Sequence, residues 1–351
     1  MKKIAVIGSG FFGNSVSILL SKKYKVDLFE IQKKIFQGAS RYNQMRYHLG
    51  FHYPRSQKTF NELKLHKREF ESFFNKKIFG TTDNYYGIAK INSKTSFKTY
   101  LSFLKKNKLK YKCIESLDFS EKVEGSIICD EKILNYYICE KIFKKKLQSK
   151  NIKIFTNQTL KKRNLNKYDK VIICAYDQNN NVLKSIGIKP QKKYRYELIE
   201  KILIKLPKIY KNKSFIVLDG KFVCVDPLLN TNYHLLSDNK NSKIEICRGY
   251  YPNFKSFKKK YLKKGYIKKL SHSKFDSFIE NGQKYLPFLK KAKFVSTSFV
   301  TRAIEINKEK TDERVNNIKI IDKKFISIFS GKWNTSVGVA KKIYKILESD
   351  K

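Results

Sequence analysis

Three glycines near the N-terminus have the spacing of a phosphate-binding turn. Gly8, Gly10 and Gly13 lie between an apolar run with strand character and a segment whose apolar residues recur at helical spacing. The first permits a tight turn, the second a close approach of the backbone to a pyrophosphate, and the third tight packing of helix on strand. Glu30 ends the next strand-like run, where its carboxylate can accept hydrogen bonds from both ribose hydroxyls. The sequence therefore predicts a dinucleotide site.

The nucleotide should meet the start of the first helix. We expect that helix to begin near Phe12 and Gly13, with Phe11 and Phe12 among the cofactor-binding residues, because free N–H groups and the helix dipole favour phosphate there. The carboxylate of Glu30 would repel a 2′-phosphate, which disfavours NADP. The turn by itself does not distinguish NAD from FAD.

Other side chains with useful chemistry follow the turn. His48 and His52 are the obvious titratable groups, and Gly50 between them favours an extended loop over a helix. A structural hydrogen bond is the alternative role for either imidazole. Arg302 has the planar guanidinium that grips a carboxylate or phosphate, although an ion pair within the protein explains it nearly as well. Tyr53 is a candidate to line the same pocket.

The charge of the chain is a poor guide to its partner. Its 351 residues hold 76 Lys plus Arg against 30 Asp plus Glu, a net +46, which ordinarily suggests nucleic acid or an anionic membrane. The charge is scattered along the whole chain, Lys far exceeds Arg, and no recognised nucleic-acid motif accompanies it. We therefore expect no nucleic-acid partner, and leave a peripheral association with membranes open.

Cysteine usage and hydropathy favour a cytoplasmic protein. The six cysteines are far apart, with no CxxC pair and no zinc-ligand spacing, so neither a metal nor a disulfide scaffold is expected. Glycines and polar residues interrupt the N-terminal apolar run, which argues against a signal peptide. No stretch reaches the ~18 apolar residues needed to span a bilayer.

The order of elements predicts two interleaved lobes. Strands are expected at Lys3–Ile7, at "KVDLFE", "IKIFTN" and "DKVIICA", and in the closing "KFISIF", with helices at 14–22, 133–147 and the C-terminus. Residues 194–247 alternate and carry turn signals, which indicates antiparallel sheet, and 253–289 is expected to be helical. Leu160 and Ala175 are predicted to contact the cofactor. We assign a discontinuous dinucleotide domain to residues 1–78, 131–192 and 295–351, and a substrate lobe to 79–130 and 193–294.

The segment "GASRYNQMRYHLGFHYPRS", residues 38–56, resembles the D-amino-acid-oxidase superfamily of FAD-dependent oxidoreductases, which includes glycine oxidase and glycerol-3-phosphate dehydrogenase. It is also similar to oxidoreductases encoded among bacterial surface-polysaccharide genes. The resemblance implies that Ser40, Arg41 and Asn43 contact the phosphates or ribityl chain. It places His48, Gly50 and Tyr53 near the isoalloxazine ring.

The C-terminus carries a second match to that superfamily. "SGKWNTSVGVAKKI" resembles its closing turn and helix beside the flavin pyrimidine, which implies cofactor contacts from Gly331, Lys332, Trp333, Asn334 and Thr335. "STSFVTRAIEI" puts Arg302 where relatives often bind substrate, and "TDER" resembles their Asp-x-Arg-Pro segment. Two departures stand out, since Tyr176 and Asp177 follow Ala175 where Thr-Gly is usual, and Val315 replaces the proline.

The resemblance implies an α/β fold, α+β overall: a Rossmann-like FAD-binding domain with a parallel sheet, interrupted by a second lobe built on an antiparallel sheet plus helices. The implied reaction is hydride transfer to flavin N5 from a small anionic substrate, either an amino or hydroxy acid, a polyol phosphate or a sugar derivative. His48, Tyr53 and Arg302 are the catalytic candidates. The electron acceptor, the oligomeric state and covalent attachment of the flavin stay open.

Two other functions remain as alternatives. One is an NAD-dependent dehydrogenase or epimerase built on the same glycine turn. The other is a basic nucleic-acid- or membrane-binding protein with a vestigial dinucleotide fold. The flavin interpretation differs from both because it requires the N-terminal loop and the last helix to converge on one nucleotide.

Overall fold

The computed structural model describes residues 1–220, 223–308 and 310–349. Its helices are α1 (Phe11–Leu20), α2 (Gln57–Phe74), α3 (Phe97–Lys106), α4 (Tyr136–Lys146), α5 (Asn179–Ser185), α6 (Phe275–Gly282) and α7 (Ser336–Ser349). The first half of the chain contains strands β1 (Lys3–Ile7), β2 (Lys25–Glu30), β3 (Arg46–Tyr47), β4 (Phe79–Gly80), β5 (Asp83–Ala89), β6 (Tyr111–Ile114), β7 (Val123–Cys129), β8 (Lys132–Leu134), β9 (Ile152–Thr156) and β10 (Lys170–Ile173). The second half contains β11 (Tyr194–Lys205), β12 (Lys213–Leu218), β13 (Val223–Leu228), β14 (Tyr233–Asp238), β15 (Lys243–Gly249), β16 (Lys293–Glu305), β17 (Asn317–Ile320) and β18 (Phe325–Phe329).

A six-stranded sheet forms the predicted nucleotide-binding unit. Its order is β17-β18-β10-β1-β2-β9, parallel except for the edge strand β17. Alternate residues of β1 point to opposite faces: Ile4 and Val6 pack beneath α1 and α7, whereas Ala5 and Ile7 pack on the side of α5. A strand buried on both faces needs the continuous apolar run that this sequence supplies. The predicted α/β fold is confirmed.

The second sheet has nine strands. Its order is β15-β11-β14-β13-β12-β5-β7-β6, and β16 pairs with the other edge of β11. The pairing is antiparallel as predicted, except that β12 runs parallel to β5. The hairpin predicted at Asp219 and Gly220 joins β12 to β13, although residues 221 and 222 lie outside the described residues.

A small three-stranded sheet, β3-β8-β4, lies beside the loop that follows residue 38. Part of it replaces the start of the helix predicted over 133–147. Residues 132–134 form β8, and α4 begins only after Asn135, whose side chain accepts a hydrogen bond from the N–H of Ile138. An N-cap therefore sets the helix start later than apolar periodicity suggests.

The predicted helix over 253–289 is wrong for most of its length. Only α6 is α-helical there, with 3₁₀ turns at 257–261 and 287–291. Ile267 instead pairs with Thr297 of β16 in an isolated bridge, and Gly265 has a positive φ of 77°. Lysines alternating with aromatic residues matched helical spacing, but pairing with β16 holds part of the segment extended.

The six-stranded sheet takes strands from all three segments predicted for the dinucleotide domain, 1–78, 131–192 and 295–351. The boundary at 295 falls inside β16, whose partner is β11 of the nine-stranded sheet. None of the helices in the described ranges is both long and apolar enough to cross a bilayer.

Candidate active site

A cavity of about 920 Å³ lies between the two sheets. Its wall includes the glycine turn, the loop after residue 37, the inner face of the nine-stranded sheet and the turn before α7. Most of the predicted site residues line it: Gly8, Gly10, Phe11, Phe12, Glu30, Ser40, Asn43, His48, Tyr53, Ala175, Arg302, Gly331, Lys332 and Trp333. Five others lie outside the lining: Gly13, Arg41, Leu160, Asn334 and Thr335.

The glycine turn leaves no room for side chains. Gly8 has a φ of 99°, and a Cβ on Gly13 would lie 1.7 Å from the carbonyl oxygen of Gly8. A Cβ on Gly10 would lie 2.7 Å from Ser40 Oγ, so this residue keeps the cavity side of the turn open. Helix α1 starts at Phe11, one residue earlier than predicted, and its first N–H groups point out of the turn. The turn has the form that a pyrophosphate requires.

Glu30 is held firmly at the end of β2. Its side chain is buried, and its two carboxylate oxygens accept hydrogen bonds from the backbone N–H groups of Ser9 (2.9 Å) and Gln32 (2.8 Å). Each oxygen keeps further acceptor capacity, since a carboxylate has about four lone-pair sites. The carboxylate is therefore oriented before any ribose arrives.

The loop of residues 38–45 is braced by its own side chains. Ser40 Oγ accepts from the N–H of Phe11 at 3.2 Å. Asn43 Nδ2 donates to the carbonyl oxygens of Ala39 and Ser40, and its Oδ1 accepts from the N–H of Met45 at 2.7 Å. Asn43 thus fixes the backbone of the loop, and Ser40 is the polar group of this loop nearest the helix start.

Two predicted cofactor residues point elsewhere. Arg41 donates to Gln37 Oε1 at 3.0 Å, and its guanidinium lies 5.6 Å from the ring centre of Tyr136. Leu160 is buried in the core on the α5 side of the sheet, while its neighbour Thr159 faces the cavity. In this structure neither side chain contributes to the wall.

Four side chains form a compact cluster at the C-terminal turn. The rings of His48, His52 and Tyr53 lie 5.3 to 5.4 Å apart, and Lys332 Nζ lies 4.7 Å from the ring centre of Tyr53. Lys332 Nζ is also 3.5 Å from His48 Nε2. Within the described part of the chain, the buried atoms His48 Nδ1, His52 Nδ1 and Tyr53 Oη have no hydrogen-bond partner. Unpaired buried polar atoms are rare in proteins, and the three residues that carry them line the cavity, as expected of residues beside a bound ligand.

Burial sets the protonation of this cluster. It lowers the pKa of His48 well below the ordinary value for histidine, and the Lys332 charge adds to the effect. The same two causes lower the pKa of His52 to about 3. Burial and the nearby Arg314 lower the pKa of Lys332 to about 7, against the opposing influence of Asp312. At neutral pH both imidazoles are uncharged, and Lys332 is divided between its two forms.

The two ends of the chain meet beside this cluster, as predicted. The Trp333 ring stacks on Phe11 of α1, with centroids 4.9 Å apart. Asn334 Nδ2 donates to the carbonyl of His48 at 2.9 Å, and Ser15 and Ser336 bond through their hydroxyls. Asn334 and Thr335 therefore hold the turn in place from behind, while Gly331, Lys332 and Trp333 form its cavity side.

Arg302 is already paired. It lies on β16, and its Nε and Nη2 both donate to one carboxylate oxygen of Glu197 on the facing strand β11. Arg195 Nη2 lies 2.7 Å from the other oxygen of that carboxylate. Burial would raise the pKa of Glu197, but the Arg302 charge lowers it overall, so the pair is ionic. The ion-pair alternative weighed for Arg302 describes its contacts in this structure.

The unusual residues after Ala175 have a structural role. Tyr176 Oη accepts from the N–H of Ala303 at 3.1 Å and donates to the carbonyl of the same residue at 2.9 Å. This bond ties the end of β10 to β16. Burial raises the pKa of the adjacent Asp177, which also lines the cavity, to about 6.

Sequence reasoning missed a buried ionic network around Arg46. Its guanidinium bonds to Asp226, Ser214 and Glu131, which come from three different strands or loops. The second oxygen of Glu131 accepts from the N–H of Leu49 at 2.8 Å, one residue after His48. Only an arginine in an otherwise apolar stretch hinted at this role. The network fixes the loop that carries His48 to the nine-stranded sheet.

Lys201 was also missed. It follows Arg195, Glu197 and Ile199 on the cavity face of β11, and Ser237 Oγ is 3.1 Å from its Nζ. Alternating charged residues within a strand that is otherwise apolar were the available signal, since one face of such a strand must border a polar space. Within the described ranges, no group of three or more His, Cys, Asp or Glu side chains is arranged to hold a metal ion.

Comparison with known proteins adds the fold of the whole chain. No family model matches it, and no curated protein sequence does. Among solved structures, L-proline dehydrogenase from P. horikoshii matches with a TM-score of 0.74 and 13% identity over 100% of this chain and 94% of that one. L-α-glycerophosphate oxidase from Mycoplasma pneumoniae, solved with FAD bound, matches with 0.72 and 13% over 99% and 95%. Glycine oxidase from Geobacillus kaustophilus matches with 0.71 and 10% over 100% and 96%. The resemblance that the sequence suggested is confirmed for the fold, which this chain shares with these enzymes over its full length.

Proposed function

We propose that this chain is an FAD-dependent oxidoreductase that oxidises a C–H bond next to an amine or hydroxyl in a small anionic substrate. The observation that carries the proposal is the convergence of the glycine turn and the C-terminal turn on one cavity, with Trp333 stacked on Phe11. The M. pneumoniae oxidase that shares the fold was solved with FAD bound, which supports the choice of cofactor. When bound, FAD supplies the hydride acceptor of the reaction.

The residues at the first turn fit the nucleotide half. Gly8 and Gly10 keep side chains away from the start of α1, where N–H groups beyond that of Phe11 can meet a pyrophosphate, and Glu30 presents a buried, pre-oriented carboxylate to a ribose. Ser40 adds a hydroxyl at the helix start. The resident groups therefore fit FAD without rearrangement of the turn.

The residues at the second turn fit the chemistry. His48 and His52 are neutral at physiological pH, and each has a ring nitrogen with no partner among the described residues, so either can accept a hydrogen bond from the substrate amine or hydroxyl. We assign this hydrogen bond to His48 Nδ1 and the orientation of the substrate to Tyr53 Oη. The pairing of Arg302 with Glu197 makes it a weaker candidate for binding the anionic tail.

The substrate class in this proposal is an amino acid, hydroxy acid or polyol phosphate. Basic side chains in the cavity wall outnumber acidic ones by eleven to six, which favours an anion. The neighbours with this fold are named for glycine, L-proline and L-α-glycerophosphate, all of which carry an acidic group. We also infer a cytoplasmic location, in keeping with six free cysteines.

The proposal is tested by isolating the native protein and recording its spectrum. We expect a yellow protein whose chromophore, released by denaturation, has the mass of FAD. Candidate amino acids, hydroxy acids and polyol phosphates are then added without oxygen, and one class should bleach the flavin band. A colourless protein that also fails to bind added FAD would refute the proposal. Retention of NAD instead would favour the dehydrogenase alternative.

A further inference from the structure

We infer that Lys201 and the serines beside it form the subsite for the substrate's oxyanion, a carboxylate or a phosphate group. The inference rests on the proposed function and names the part of the cavity that recognises the substrate. It replaces Arg302, the guanidinium that sequence reasoning selected, with a lysine on the neighbouring strand.

The first argument is charge balance. Arg302 and Arg195 share the carboxylate of Glu197, so the guanidinium of Arg302 already has an anionic partner within the protein. Lys201 follows Glu197 by four residues on the same face of β11, so their backbones are about 13 Å apart at the rise of a strand. No carboxylate among the described residues lies within ion-pair distance of its ammonium, and the one side-chain hydrogen bond to it is the 3.1 Å contact with Ser237.

The second argument is the pair of hydroxyls beside the ammonium. Ser237 contacts Lys201 from β14. Ser298 lies directly opposite Lys201 on β16, so their side chains share a face of the sheet. Ser298 is only 1% exposed, and its hydroxyl has no hydrogen-bond partner among the described residues. A cation without a carboxylate partner in the described ranges, in contact with one hydroxyl and opposite a second in the strand register, is an arrangement that an oxyanion completes.

The third argument is that the subsite belongs to the active cavity. Lys201 and Ser237 both line it, together with His48 and Lys332. Arg302, whose charge contributes to lowering the pKa of both Lys201 and Lys332, lines the same cavity. An anion on Lys201 would therefore extend a substrate across the sheet towards the His48 cluster.

Binding of an oxyanion at this subsite depends on the protonation of Lys201. Burial and the Arg302 charge lower the pKa of Lys201 to about 8, while Cys224 and Asp226, which face it from β13, act in the opposite direction. At pH 7 the amine still carries its proton, and an anion bound beside it would raise its pKa further. The affinity for an oxyanion should consequently fall as the pH rises beyond about 8, which titration with phosphate or acetate at several pH values measures.

The test is calorimetric titration of the native holoprotein with inorganic phosphate and, separately, acetate, at constant ionic strength set with chloride. We expect saturable binding of at least one probe. Lys201→Met should weaken it about tenfold or more, the effect of losing one charge-assisted hydrogen bond. Lys201→Arg should retain it. Lys205→Met, an exposed lysine on the same strand, should leave it unchanged. Tighter binding of phosphate indicates a phosphate ester, and tighter binding of acetate an acid.

Several results would overturn the inference. They are no binding of either probe by the wild type, equal binding by Lys201→Met, or a loss of FAD from Lys201→Met with undiminished oxyanion affinity. Should Lys201→Met fail to fold, Ser237→Ala removes only a hydroxyl and should weaken the better probe by about threefold. FAD content, measured on the same preparations, separates the two proposals. If the protein contains no FAD but its oxyanion binding depends on Lys201, the proposed function is contradicted and the subsite is supported.

Discussion

Asn334 donates a 2.9 Å hydrogen bond from its side chain to the backbone carbonyl of His48, joining residues 286 positions apart. Asn334 is 2% exposed, so the bond lies inside the protein. The bond fixes the loop that carries His48 to the turn that carries Lys332. The geometry of the active cluster therefore depends on contacts between the two ends of the chain.

Removing that bond should loosen the cluster. We expect Asn334→Ala to lower the free energy of unfolding by about 1–3 kcal/mol, because the His48 carbonyl would be left buried and unpaired. Urea denaturation measures the loss. Asn317→Ala, at an exposed position of β17, is the control and should change stability by less than about 0.5 kcal/mol. Equal effects of the two substitutions would contradict the assigned role.

Gly10→Ala should abolish stable retention of FAD. The added Cβ would lie 2.7 Å from Ser40 Oγ and would intrude on the path of the pyrophosphate. We expect the dissociation constant of FAD to rise at least about tenfold, measured by fluorescence titration of the apoprotein. In Gly249→Ala the nearest atom would be 3.9 Å away, and affinity should be unaffected. Full retention of FAD by Gly10→Ala would argue against this turn as the binding site.

Tyr53→Phe should lower the activity of the protein without lowering its stability. The hydroxyl of Tyr53 is buried and no described residue bonds to it, so its removal should raise the melting temperature of the ligand-free protein or leave it unchanged. Turnover should fall, since the hydroxyl would orient the substrate. Tyr47→Phe is the matched comparison, because Tyr47 Oη donates to Glu71 at 3.1 Å and its loss should destabilise the protein. Destabilisation by both substitutions would mean that Tyr53 has a structural partner after all.

Lys332 should make the free energy of unfolding depend on pH between about 7 and 10. Its pKa is about 7 in the folded protein and near 10.5 unfolded, so between these values the unfolded chain binds more protons. Stability contributed by this site therefore rises as the pH increases from about 7 to 10. Denaturation curves of wild type and Lys332→Met should differ by a pH-dependent amount that shrinks over this range. Lys341→Met, at an exposed site of α7, should show a constant difference from wild type.

The Arg46 network should be among the most sensitive sites of the protein. Arg46→Met would leave Glu131 and Asp226 buried without their cation, which we expect to cost about 3–5 kcal/mol of unfolding free energy. Arg41→Met, whose guanidinium lies against aromatic rings nearer the surface, should cost less than about 1 kcal/mol. Chemical denaturation measures the loss of unfolding free energy in both variants. A small loss for Arg46→Met would show that the two carboxylates take up protons or find other partners.

The local features were predictable from the sequence. The glycine turn, Glu30 and the strands around them form one continuous βαβ unit, whose pattern is set by neighbours within about thirty residues. The closing strand, turn and helix were recognisable for the same reason. The helix expected over 253–289 failed because a distant strand, β16, competed for the backbone of that segment.

The active groups depended on the tertiary structure. Arg302 and Lys201 are both basic residues within strands, yet pairing of β16 with β11 puts Glu197 beside the first and Ser298 opposite the second, and β14 adds Ser237 beside Lys201. The shifted pKa values of His48 and Lys332 arise from burial against a loop 284 residues away. The sequence by itself determined where a nucleotide could bind. The tertiary structure decided which charged groups are paired within the protein and which can bind a ligand. Desolvation and ion pairing depend on neighbours that the chain brings together only in three dimensions.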